Sequence, residues 1–232
     1  MIAGVTAKPF AIGPAAARLL PFAAFIGLMM AEPLLAGLLG DELDPRWLYG
    51  LRSGVAALLL LLFWRQYEEL HVLRCRPAAL LLAAPLAGLG VLIVWLTLDG
   101  GRFVLGGGGS GFVPLAADGS LLWPLAIARL LGSALVVPFI EELFWRSLVM
   151  RWLERSDFAT LAPAAVGLRA VLLSSLAFGF EHSLWAAGII AGLVYALLYR
   201  RSGCLWPAIV AHAVTNGSLG LWVLYAAAWQ YW

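Results

Sequence analysis

Long apolar runs dominate this sequence and leave few folds open to it. Seven of them are predicted to cross a lipid bilayer, at residues 19–39, 47–64, 78–98, 121–152, 168–180, 184–199 and 205–229. Only 12% of the residues are charged and 63% are hydrophobic, whereas about 25% of an average soluble domain is charged. A chain of 232 residues cannot bury that much apolar surface in its own core. The sequence therefore predicts an all-α, polytopic transmembrane helical bundle.

The basic residues indicate how many times the chain crosses the membrane. Residues 121–152 contain Pro138, which kinks a helix or splits it in two. If this run is one crossing, most basic residues fall on the same side: Lys8, Arg18, Arg65, Arg74, Arg76, Arg151, Arg155, Arg200 and Arg201. The positive-inside rule then favours seven spans with a cytoplasmic N-terminus. Eight spans, which would put the last four of these arginines outside, are the alternative.

The motifs divide the chain into two parts of one membrane unit. Residues 1–120 are predicted to form N-terminal transmembrane helices and a glycine-rich loop at 106–111, which lacks the Lys-Ser/Thr of a phosphate-binding loop. Residues 121–232 carry every motif described below. Cys75 and Cys204 have no local spacing pattern, so neither a disulfide framework nor a metal knuckle is expected. The net charge of +2 is small and scattered, which argues against nucleic-acid binding.

Ionisable residues inside the apolar runs are the informative ones. Such a side chain costs about 2.5–3.5 kcal/mol to insert at mid-membrane and is therefore a candidate functional residue. Three clusters stand out, at residues 141–146, 178–182 and 212–216. They include two of the three histidines of the chain. The third, His71, lies in a charged loop and is interpreted as a solvated surface residue.

Helical spacing assigns the paired glutamates different positions. Residues four apart share a helix face, whereas neighbours point about 100° apart. Glu142 can therefore form an ion pair with Arg146, and Glu141 keeps its carboxylate free. Taken alone, the Glu142–Arg146 pair is as typical of a purely structural ion pair as of a functional site.

The other two clusters supply imidazoles and an amide. Phe178 and His182 share a helix face, and so do His212 and Asn216. A carboxylate base with a histidine partner can activate water, and a second histidine with an asparagine can donate hydrogen bonds to a developing oxyanion. This set suits amide hydrolysis. Taken singly, each histidine also fits an ordinary interhelical hydrogen bond.

In order along the chain, the three motifs resemble those of a known family. Glu141-Glu142-Leu-Phe-Trp-Arg146, Phe178-Gly-Phe-Glu-His182 and His212-Ala-Val-Thr-Asn216 are similar to the EExxxR, FxxxH and HxxxN motifs of the CPBP intramembrane endopeptidases, the CAAX protease and bacteriocin-processing family. The resemblance covers about residues 120–220, and Ser147 stands where many bacterial relatives have glycine. Further towards the N-terminus, Glu32-Pro33 and residues 67–70 are similar to the bacterial CAAX prenyl protease-related proteins.

The resemblance implies roles for these residues. Water would be activated by Glu141 with His182, and the oxyanion would be stabilised by His212 and Asn216. The site would be supported by Glu142, Arg146 and Phe178. No cofactor is expected; the alternative is a zinc ion held by Glu141, His182 and His212.

The resemblance also implies a setting for the activity. We expect a bacterial inner membrane protein that cleaves a membrane-associated or exported peptide or protein, with its oligomeric state left open. Two other functions remain as alternatives. One is a non-enzymatic membrane protein of the bacteriocin-immunity or scaffold type. The other is a proton-coupled transporter that relays protons through Glu141 and His182, although no internal repeat supports it.

Overall fold

A computed structural model describes residues 12–40, 43–71, 75–105 and 111–232. Nine α-helices lie in these ranges: Pro14–Leu39 (α1), Trp47–Phe63 (α2), Glu68–His71 (α3), Ala84–Thr97 (α4), Trp123–Leu131 (α5), Val137–Glu141 (α6), Leu168–Phe180 (α7), Trp185–Ser202 (α8) and Trp206–Ala226 (α9). Three π-helical segments adjoin them: Ala79–Ala83, Gly132–Val136 and Glu142–Met150. The only extended pairing in the described ranges is an isolated bridge between Leu115 and Leu121. The predicted all-α class is confirmed.

The helices are long and apolar enough for a membrane protein. Five stretches could cross a bilayer by length and composition: Pro14–Leu38, Trp47–Gln66, Ala79–Thr97, Trp123–Met150 and Trp206–Ala226. The stretch Trp123–Met150 is continuous, so Pro138 does not split it, as the seven-span arrangement requires. Helices α7 and α8 complete the bundle. Large apolar side chains cover its outside, including Leu34, Leu38, Leu61, Leu81 and Tyr225, as expected of a surface that faces lipid.

The beginning and end of the described chain lie at opposite ends of the bundle. At one end, called the inner end here, Arg18 of α1 lies 2.6 Å from Glu69. At the other, the outer end, the N–H of Phe112 donates to the carbonyl of Trp232 at 2.9 Å. Lys8, Arg74 and most of the glycine-rich loop, residues 106–110, lie outside the described residues.

A polar network closes the inner end. The Ser147 hydroxyl donates to Glu69 and accepts from Nε of Arg18 at 3.0 Å. Burial alone would raise the pKa of Glu69, but the hydrogen bonds from Arg18 and Ser147 and the charge of Arg18 hold it below its usual range. Ser147, the residue after the first motif, thus ties the motif helix to α1 and α3.

Glycines let the helices approach closely. A Cβ on Gly88 of α4 would lie 2.4 Å from the carbonyl oxygen of Ala211 in α9, and one on Gly179 of α7 would lie 2.3 Å from Cγ1 of Ile189 in α8. Small residues at such contacts are how membrane helices pack, because lipid supplies no hydrophobic drive between them. The contact at Gly88 also fixes the position of α9, which carries His212.

The expectation about the cysteines was wrong. Cys75 and Cys204 form a disulfide, with their Cα atoms 5.5 Å apart. Since 129 residues separate them, no local spacing could indicate the pairing. It arises because the segment before α4 packs against the start of α9.

Candidate active site

The backbone around Pro138 leaves one carbonyl oxygen free to accept a hydrogen bond from a side chain. In the π-helical segment Gly132–Val136, the N–H of Val137 donates to the carbonyl of Gly132, five residues back. The next bond in this register would run from residue 138 to the carbonyl of Ser133, but proline has no N–H. Asn216 takes that place: its Nδ2 donates to the Ser133 carbonyl at 2.9 Å. The predicted oxyanion donor is thereby anchored to the helix that carries the glutamates.

Glu142 joins two of the predicted residues. Its Oε2 lies 3.1 Å from Nε of Arg146, which is the predicted ion pair, and its Oε1 lies 2.9 Å from Nδ1 of His212. Glu142 and Arg146 are 0% and 1% exposed, and the Arg146 guanidinium lies 4.4 Å from the ring centre of Phe178. Sequence reasoning gave Glu142 only the arginine; the structure adds His212 as a second partner.

Glu141 faces a different direction from Glu142 and is also buried, at 6% exposure. Its Oε2 lies 3.9 Å from Nε2 of His212, and this buried oxygen has no hydrogen-bond partner within the described ranges. Buried polar atoms are nearly always hydrogen-bonded in proteins. An unsatisfied carboxylate oxygen that lines a cavity is therefore well placed to accept a hydrogen bond from water or substrate.

The two histidines are oriented in the same way. Nδ1 of His182 lies 2.8 Å from the carbonyl oxygen of Phe178. Because a carbonyl only accepts, Nδ1 carries the proton, and Nε2 of the neutral ring is an acceptor. Nδ1 of His212 likewise meets a carboxylate acceptor on Glu142. An imidazole held through Nδ1 presents Nε2 to its reaction partner. The Phe178 ring lies 4.8 Å from that of His182, as the shared helix face predicts.

Two residues that the sequence analysis did not single out support His212. The Tyr195 ring stacks on its imidazole at 4.8 Å and 19°. The Tyr195 hydroxyl donates to Thr215 at 2.8 Å, and the Thr215 hydroxyl lies 2.9 Å from the carbonyl oxygen of Gly88. Polar atoms within apolar helices were the available signal, but their partners lie on other helices. Together they lock the ring plane of His212.

The structure brings all four predicted catalytic residues together. They line one cavity of about 250 Å³, whose wall includes Glu141, His182, His212 and Asn216, together with Phe178, Tyr195 and Ser133. The cavity reaches the outer end of the bundle, where Trp95 and Trp232 form part of its wall.

The zinc alternative needs Glu141, His182 and His212 as one ligand set. Within the ranges that the structure describes, no three His, Cys, Asp or Glu side chains are close enough to hold a metal ion together.

A comparison with known families identifies the part of the chain that holds the cavity. Residues 123–218 match the family model described as type II CAAX prenyl endopeptidase Rce1-like. This segment is similar to the Rce1-like family. The match contains all three motifs, and it confirms the resemblance to the CAAX protease family. Neither the curated proteins nor the solved structures gave a match. The Rce1-like family is a protease family, so a CAAX-type membrane protease function is supported at the family level.

Proposed function

We propose that this protein is an intramembrane endopeptidase that hydrolyses a peptide bond of a membrane-associated or exported peptide with water activated by glutamate and histidine. The observation that carries the proposal is the buried Oε2 of Glu141, which has no hydrogen-bond partner among the described residues and belongs to a side chain lining the same cavity as His182, His212 and Asn216. Four costly polar groups from three separate segments, α6, the end of α7 and α9, share one cavity in the bundle, which a purely structural role does not require.

In the first step, Glu141 and His182 hold a water molecule. Glu141 accepts one of its protons, and the free Nε2 of His182 accepts a hydrogen bond from the other O–H. The water oxygen then attacks the carbonyl carbon of the scissile peptide bond. The low dielectric of the site strengthens these interactions, and the fixed geometry of both groups reduces the entropy cost of the attack.

In the second step, negative charge develops on the carbonyl oxygen. Asn216 has one N–H bonded to Ser133, so its second N–H is free to donate to the oxyanion. When protonated, Nε2 of His212 is the other donor, because Glu142 holds its Nδ1 and balances its charge. The intermediate then collapses as Glu141 passes its proton to the leaving amine. One water is consumed, and an acid and an amine are released.

The arginine distribution and the cavity suggest where the reaction takes place. We place the protein in a bacterial cytoplasmic membrane, with the inner end and the N-terminus in the cytoplasm. The cavity then opens towards the opposite face, since Trp95 and Trp232 of its wall belong to the outer end. Such an opening suits a membrane-anchored or exported peptide.

The test is cleavage of such peptides by the purified protein. Native protein in liposomes is incubated with a mixture of membrane-anchored peptides, and the products are identified by mass spectrometry. Glu141→Gln should reduce cleavage about 100-fold or more without lowering the melting temperature. Glu68→Gln, which removes an exposed carboxylate at the inner end, should cleave like the native protein. Equal cleavage by native protein and Glu141→Gln would refute the mechanism, and no cleavage of any peptide would favour the non-enzymatic alternative.

A further inference from the structure

Two arginines line the catalytic cavity on its outer side. Arg52 and Arg129 belong to its wall, and both also line a second, open cavity of about 670 Å³. Tyr49 and Trp232 are shared by the two cavities as well. The guanidinium groups therefore lie where the catalytic cavity meets the space that leads to the outer end of the bundle.

The charges of these arginines are incompletely balanced. Arg52 is 7% exposed and is paired with Glu32 at 2.7 Å, yet its Nε has no hydrogen-bond partner in the described ranges. Arg129 makes no ion pair with any described residue, and its buried Nε is also without a partner there. Its guanidinium lies 4.0 Å from the ring centre of Tyr49. Near these two groups, the described residues offer one carboxylate, that of Glu32, for two positive charges.

The remaining basic residue of the second cavity does not change this balance. Arg46 lies 2.6 Å from Asp44, so its charge is already neutralised. Arg52 is buried and Arg129 is half-buried with its Nε out of contact with solvent, and a charge withdrawn from water is unfavourable unless an opposite charge joins it. The planar guanidinium fork matches the two oxygens of a carboxylate better than it matches other small groups in a peptide. The missing partner therefore has the chemistry of a carboxylate.

We propose that Arg129, with Arg52 beside it, binds a carboxylate of the peptide substrate and so sets which bond reaches Glu141. This inference rests on the proposed peptidase function. Arg129 and Glu141 lie on one continuous helical stretch, about 18 Å apart along its axis at 1.5 Å per residue. An extended peptide covers that distance with about five residues. The carboxylate is either the C-terminus of the peptide or an Asp or Glu side chain within about five residues of the scissile bond.

The test measures binding and cleavage separately. A short apolar peptide with an N-terminal fluorophore is prepared as the free acid, as the C-terminal amide, and as amides carrying one Asp or one Asn at successive positions. Affinities are measured by fluorescence anisotropy on the full chain carrying Glu141→Gln, so that peptides stay intact. The free acid, or one of the Asp amides, should bind about tenfold tighter than its neutral counterpart. Which of the two does so identifies the source of the carboxylate.

Variants assign the preference to the arginine. Arg129→Gln in the same background should bind the acidic peptide no better than the neutral one, and Arg129→Lys should retain part of the preference. Arg102→Gln, which removes an exposed arginine at the outer end, should keep it fully. Equal affinity of charged and neutral peptides for the protein with Arg129, or a preference that survives Arg129→Gln, would overturn the proposal. Cleavage by the native chain tests the peptidase function separately. If acidic peptides bind more tightly than neutral ones but no peptide is cleaved, the carboxylate site is supported and the peptidase function is not.

Discussion

The substitution Glu142→Gln separates the two roles that the structure gives this residue. Its Oε2 forms an ion pair with Arg146 at 3.1 Å, without the geometry of a hydrogen bond, and its Oε1 lies 2.9 Å from Nδ1 of His212. A glutamine has a single acceptor oxygen, so one of the two partners must face an N–H group. If the oxygen stays with Arg146, the NH₂ group faces Nδ1 of His212, and the ring loses the carboxylate that balances its positive charge when Nε2 donates to the oxyanion.

The loss of stability expected for Glu142→Gln follows from the burial of the Glu142–Arg146 ion pair. Removing the charge of one partner from a buried ion pair costs about 3–5 kcal/mol. At about 2–4 °C per kcal/mol for a chain of this size, the melting temperature should fall by about 6–20 °C. Glu141→Gln, whose Oε2 has no hydrogen-bond partner to lose among the described residues, should leave the melting temperature unchanged.

The assay compares purified Glu141→Gln, Glu142→Gln and the double variant Glu142→Gln/Arg146→Gln, with melting temperature and turnover of one peptide measured for each. The double variant should recover part of the lost stability, because no unpaired charge remains. It should recover none of the lost activity, because His212 still lacks the carboxylate that balances its protonated form. A stable, inactive Glu142→Gln beside an active Glu141→Gln would refute the assignment of base and support. A double variant less stable than Glu142→Gln would refute the unpaired-charge explanation.

Three further outcomes are expected. The pKa of Glu69 lies below its usual range in the folded protein. Its charged form therefore adds stability above about pH 4.3, and this stability is lost as the pH falls towards the folded-state pKa. Between pH 7 and pH 3, the melting temperature of Glu69→Gln should fall less steeply than that of the native protein. Gly88→Ala should destabilise the protein by about 1–3 kcal/mol by pushing α4 away from Ala211, whereas Gly90→Ala, with open space around it, should melt like the native protein. EDTA or phenanthroline should leave peptide cleavage intact, and a loss restored by zinc would instead indicate a zinc enzyme.

The sequence by itself determined that lipid surrounds the protein, which segments are helical, and which motif residues share a helix face. Apolar runs of membrane length predict helices wherever they occur, because a backbone in lipid must satisfy its own hydrogen bonds. The fixed angle between successive residues of a helix placed Glu142 with Arg146, and Phe178 with His182, without any knowledge of the neighbouring helices. These are properties of one helix at a time.

Only the tertiary structure decided which groups meet across helices. The bond between Glu142 and His212, the anchoring of Asn216 on the Ser133 carbonyl, and the disulfide all join segments far apart in the chain. Arg129, which its place in an apolar run makes an ordinary structural or snorkelling residue, faces the cavity without an ion-pair partner among the described residues. Periodicity fixes which side of a helix a residue lies on. The partner it meets depends on the depth and rotation at which two helices pack, and close contacts such as that of Gly88 with Ala211 set those values.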